Sequence, residues 1–161
     1  METIGGFSAC IAIAGLATKV AKSLQNLIDD LVTAEKRLQL LRSQVRAFSI
    51  SINNIVQAAQ TSGATSSTLD AFSRDLLDAA AGGVDIIKEL EAEIIEIRSN
   101  AIRSPNGKVV SRASLMDRLE FKWNEDRINK WRAELHAQCL SLLMLIQRYV
   151  DYESRSHSYI Y

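Results

Sequence analysis

Apolar residues recur at alternating intervals of three and four along most of this chain. That spacing gathers side chains on one face of an α-helix. In the first segment Ile13, Leu16, Val20, Leu24, Leu27 and Leu31 keep the rhythm, which predicts a helix from about Ile4 to Leu31. Asp29-Asp30 marks its end, with Thr33 a candidate N-cap for the next helix and Glu35 favourable at that helix's positive end. The second segment is the most regular. Leu38, Leu41, Val45, Phe48, Ile52, Ile55 and Ala59 form a heptad seam, and Arg37, Arg42 and Arg46 lie off it. The polar stretch QTSGATSST at 60–68 stops this helix, with Gly63 the natural terminating residue.

A third helix is expected to open after Ser67 or Thr68, with Leu69, Phe72, Leu76, Ala79, Gly83, Ile86, Leu90, Ile94 and Ile97 on its seam. Gly82-Gly83 inside it costs about 1 kcal/mol per glycine relative to alanine, so a close helix approach or a kink is expected there. Ser104-Pro105-Asn106-Gly107 then makes a turn, because proline presets one backbone angle and Asn-Gly tolerates the left-handed region. Leu115, Leu119 and Trp123 predict a short helix over Leu115–Trp123. Ile128, Trp131, Leu135, Cys139, Leu142, Ile146 and Tyr149 predict a last long helix from about Asp126 to Asp151. The expected fold is all-α: an up-down helical bundle of four long helices plus one short helix over residues 1–152, followed by a fraying, flexible tail at 153–161. Phe48, Leu76, Leu119, Trp123, Trp131, Leu135 and Leu142 are its expected core.

Composition supports this class. One proline and seven glycines among 161 residues are too few punctuators for a strand protein, and an apolar content of 47% excludes a disordered chain. The charges balance at 19 basic and 19 acidic residues, so bulk charge gives no attraction to nucleic acid. Their distribution is uneven. Asp85, Glu89, Glu91, Glu93 and Glu96 form an acidic run, and Arg103, Lys108, Arg112, Arg118, Lys122, Arg127 and Lys130 a basic region. Pairing between the two, or simple solvation, is the plain expectation. The sharper one makes Arg112, Arg118, Lys122, Arg127 and Lys130 contacts for anionic lipid. Cys10 and Cys139 have no metal or disulfide spacing, so free thiols in a reducing, cytoplasmic setting are expected.

Catalytic chemistry is sparse. The chain has no phosphate-cradling glycine loop and no nucleophile elbow. Its two histidines, His136 and His157, sit in no Glu-x-x-His pair of the kind that holds a di-iron centre in a bundle. Glu89, Glu93 and Glu96 share a helix face and read as a solvated stripe, and Trp123 and Trp131 as core anchors. No enzyme activity, cofactor or metal is expected.

The stretch IGGFSACIAIAGLAT, Ile4 to Thr18, is instead the informative one: fifteen residues without a charge, mostly glycine, alanine, serine and cysteine. Alone it is shorter than the about 20 apolar residues a bilayer needs, and it lacks the basic leader of a secretory signal. A buried bundle helix able to move into lipid fits it, with Ile4, Phe7, Ile11, Ile13 and Leu16 as the inserting residues.

The opening IGGFSACIAIAGLATKVAKSLQNLIDDL, the segment LQLLRSQVRAF and above all RLEFKWNEDRINKWRAELHAQCLSLLMLI resemble the N-terminal helical domain of fungal NLR-type (STAND) proteins. Arg118, Leu119, Lys122 and Trp123 match that family's short Arg-Leu-x-x-Lys-Trp element, and Ile128, Leu135, Ser141, Leu142 and Leu145 its following helix. The resemblance covers about residues 3 to 150. It implies a HeLo-like bundle of the group acting in programmed cell death and heterokaryon incompatibility, part of fungal innate immunity. It further implies a domain that oligomerises with its own copies and, after a signal from an NLR-type receptor, relocates from cytoplasm to plasma membrane through its first helix. A non-lytic helical adaptor of such a receptor is the alternative.

Overall fold

The computed structural model describes residues 3–31, 36–102, 119 and 122–158, without the side chains at 3–6, 100–102 and 156–157. Within these residues the protein is all-helical, with α1 Thr3–Asp29, α2 Lys36–Thr61, α3 Ser66–Ile102 and α4 Glu125–Ser158. The predicted N-cap Thr33 and the turn at 104–107 lie outside the described residues. So does most of the short helix predicted over Leu115–Trp123. Of that segment Leu119, Lys122 and Trp123 are described, and the Trp123 N–H donates to the Leu119 carbonyl at 2.7 Å, a single helical turn of bonding.

Local chemistry sets the ends that are described. Gly63 takes the left-handed backbone at φ 70° and terminates α2, while the Ser62 hydroxyl donates to the Ala59 carbonyl at 2.8 Å. At α4, Asn124 is the N-cap: its Oδ1 accepts the Arg127 N–H at 2.9 Å, and Glu125 and Asp126 follow in the first turn, where the helix dipole favours negative charge. The sequence expectation stops α4 at Asp151 and frays 153–161, yet the helix continues to Ser158. Ser154 and Ser158 each bond the carbonyl four residues back at 2.9 Å, and the Tyr149 hydroxyl donates to Glu153 at 3.2 Å. Local hydrogen bonds carry the helix past the end of its apolar seam.

Side-chain pairs fix the directions of the helices. Thr18 meets Ser49 and Gln25 meets Arg42, so α1 and α2 are antiparallel. Trp123 meets Glu93 and Tyr149 stacks on Phe72, so α3 and α4 are antiparallel as well. Lys19 pairs with Glu91, and Asp30 with Arg98, which makes neighbours α1 and α3 parallel. The result is an up-down bundle in which α1 packs on α2 and α3, α4 packs on the same two helices, and among the described residues the backbones of α1 and α4, set diagonally, do not approach closely. All seven expected core side chains are buried. Helix α3 runs unbroken through Gly82-Gly83, and close approach explains the pair: a Cβ on Gly83 would lie 2.5 Å from the Phe48 ring.

Candidate functional site

The two features the sequence singles out, the first helix and the basic region, lie at different places in this bundle. In the first half of α1 the buried face is Phe7, Cys10, Ala14 and Ala17. The expected seam through Ile13 and Leu16 is displaced: both are partly buried at the margin of the core, and Ile11 is 49% exposed. The side chain of Ile4 lies outside the description. Small residues take the inward positions because α2 comes close. The Ser49 hydroxyl, itself buried, lies 2.7 Å from both the Ala14 carbonyl and the Thr18 hydroxyl, and Thr18 donates to the same carbonyl at 3.0 Å. A larger residue at Ala14 would hold α2 too far away for these bonds. Beyond Lys19 the interface changes character, with Val20, Leu24, Leu27, Ile28 and Leu31 buried.

The uncharged stretch by itself is too short to cross a bilayer, but α1 continues through Lys19 and Lys22. Phe7–Asp29 is long and apolar enough to span by length and composition, a test that core helices of soluble proteins also pass. The Cys10 thiol points into the core, and burial pushes its pKa up to about 11, so it stays protonated and unreactive at neutral pH.

The basic residues proposed for anionic lipid divide three ways. Arg112 and Arg118 lie outside the described residues. Lys122 pairs with Glu96, and Arg127 reaches Glu93 at 2.8 Å and Glu89 at 3.1 Å while stacking 4.8 Å over the Trp131 ring. Lys130 is exposed. The acidic run on α3 thus has a structural partner in Lys122 and Arg127, and these two cations are engaged within the bundle rather than presented as a patch. Glu93 also accepts the Trp123 indole N–H at 3.1 Å, and Trp123 meets Trp131 edge-on with centroids 5.2 Å apart. The clasp closes the end of the bundle where α3 finishes and α4 begins. The start of α1 lies at the opposite end.

That opposite end holds a cleft of about 450 Å³ between the first turns of α3 and the last turns of α4. Phe72, Tyr149, Asp75 and Arg148 are among its lining residues, and the sequence pattern gave no sign of it because it joins positions more than seventy residues apart. The described residues contain no group of three side chains suited to a metal ion. Comparison with known proteins finds no matching protein family, no similar curated protein and no similar solved structure.

Proposed function

We propose that this chain is a membrane-targeting, oligomerising cell-death effector domain of a fungal NLR-like signalling system, with α1 as the membrane-active element. The supporting observation is the way α1 is held. Its uncharged first half packs mostly through small side chains, with Phe7 the one large buried residue among those described, and α4 packs on α2 and α3, the helices that α1 also packs on. Each buried methylene stabilises by about 0.8 kcal/mol, and Cys10, Ala14 and Ala17 have few to lose. Small residues also permit close helix contact in lipid, which suits assembly of several copies. Arg112, Arg118 and Lys130 remain the proposed contacts with anionic lipid; Lys122 and Arg127 would first have to leave their carboxylates. An upstream NLR-type receptor and movement from cytoplasm to plasma membrane belong to the same reading.

Ile11 provides the test. It is half-exposed, so Ile11→Glu leaves the core intact while opposing insertion by about 3 kcal/mol near the bilayer centre. The wild-type chain releases dye from vesicles containing anionic lipid, and the still-folded Ile11→Glu chain does not. A second reading, a non-lytic adaptor, is favoured by one observation: α1 supplies nine residues from Phe7 to Ile28 to the common core. Absence of leakage from the wild type, even when the chain is forced to oligomerise, selects the adaptor.

A further inference from the structure

The end of the bundle that carries the start of α1 holds the cleft between α3 and α4. Ala71, Phe72 and Leu145 give its lining an apolar part. One wall is aromatic: the rings of Phe72 and Tyr149 pack at 4.4 Å and 35°, and Tyr152 stands beside them. The Tyr149 ring is fixed in place, because its hydroxyl lies 3.0 Å from the Ser62 hydroxyl and donates to Glu153. Asp75 and Arg148 line the same space with opposite charges, and among the described residues no ion pair joins them. Arg148 also borders an adjoining cleft of about 250 Å³ whose lining includes Arg155 and Asp151.

Aromatic faces beside a carboxylate select a quaternary ammonium, whose charge is attracted by the ring quadrupole and is poorly hydrated. A guanidinium beside them selects a phosphate through paired N–H donors. We propose that this cleft binds a choline phosphate headgroup, with the trimethylammonium against Phe72, Tyr149 and Asp75 and the phosphate on Arg148. The proposed source is a phosphatidylcholine surface, and this part rests on the membrane reading of α1. The pocket then gives the resting bundle a first contact with lipid at the end where α1 begins. A methylated ammonium without phosphate would leave Arg148 unused, which is why the zwitterion is the better match.

The test titrates the full chain with phosphocholine, choline and inorganic phosphate separately, following NMR shifts of the Phe72 and Tyr149 rings. Saturable millimolar binding of phosphocholine is expected, with choline and phosphate each roughly tenfold weaker, the ratio about 1.4 kcal/mol confers. Asp75→Asn and Arg148→Ala change exposed side chains, and each should weaken phosphocholine by a similar factor without altering the far-ultraviolet circular dichroism. No saturable shift, unchanged affinity in both variants, or choline binding as tightly as phosphocholine overturns the site. A vesicle arm identifies the source: phosphatidylcholine vesicles should bind more of the chain than phosphatidylethanolamine vesicles of equal charge, and free phosphocholine should compete. Binding of the free headgroup without that preference overturns the lipid source. Headgroup binding without dye leakage keeps the site and removes the membrane-permeabilising reading; leakage without headgroup binding does the reverse.

Discussion

The contact between α1 and α2 and the contact between α3 and α4 are both antiparallel, yet they are built from different materials. On the α1 side the backbones come close over Ala14 and Ala17, and Ser49 and Thr18 supply hydrogen bonds to a helix carbonyl. On the α4 side bulk does the holding: Trp123 against Trp131, Arg127 over Trp131 and onto two glutamates, Phe72 on Tyr149. Stability from buried area scales with the carbon removed from water, so the first half of α1, where Cys10, Ala14 and Ala17 face inward, gains less from burial than the tryptophan cluster does. The first depends on fit. The first half of α1, held by fit and a few polar bonds, has less apolar contact to surrender when it moves than the second half, where Val20, Leu24, Leu27 and Ile28 are buried.

The largest test of this contrast is Trp131→Ala, which should cost about 3–5 kcal/mol in urea titration because a 2% exposed indole leaves a cavity its neighbours cannot fill. A loss under about 1 kcal/mol would mean that α4 is not anchored by bulk. Fit itself is probed by glycine. Gly83→Ala puts a methyl group 2.5 Å from the Phe48 ring and should destabilise by about 1–3 kcal/mol. Gly15→Ala meets nothing within 4 Å and should stabilise by up to about 1 kcal/mol through helix propensity. Equal signs for the two would break the claim that close approach is local. Ser49→Ala removes one hydrogen bond to Ala14 and should cost about 1 kcal/mol, with hydrogen exchange quickening in the first half of α1 before the second. The smallest effect belongs to Lys19→Ala: the Lys19–Glu91 pair has a lysine side chain 69% exposed, and its loss should change stability by less than about 0.5 kcal/mol.

Much of the bundle was legible because its periodicity is strong. The α2 seam from Leu38 to Ala59 and the α3 seam through Leu90 and Ile97 are buried as spacing implies. The first half of α1 was harder. Ile13 and Leu16 look like seam residues by hydrophobicity, whereas Cys10, Ala14 and Ala17 take the inward face because proximity, not bulk, decides there. The Asn124 cap went unread in the sequence, although Asn followed by Glu-Asp is a local capping signal. The continuation of α4 to Ser158 rests on serine-to-carbonyl bonds that carry no periodic signature. The plain expectation for the charge runs, pairing across the bundle, holds for Lys122 and Arg127 with the α3 carboxylates. The α3–α4 cleft depends on which helix ends meet, and no local pattern contains that.

Both tryptophans belong to the α3–α4 contact, where Trp123 donates to Glu93 and meets Trp131 edge-on. Intrinsic emission is therefore a spectroscopic report on that contact. Global unfolding exposes both indoles and shifts their emission to the red, so an unshifted spectrum reports an intact α3–α4 contact. An extrinsic dye placed at residue 11 would report on α1, so the two colours together separate a chain that has opened from one that has come apart.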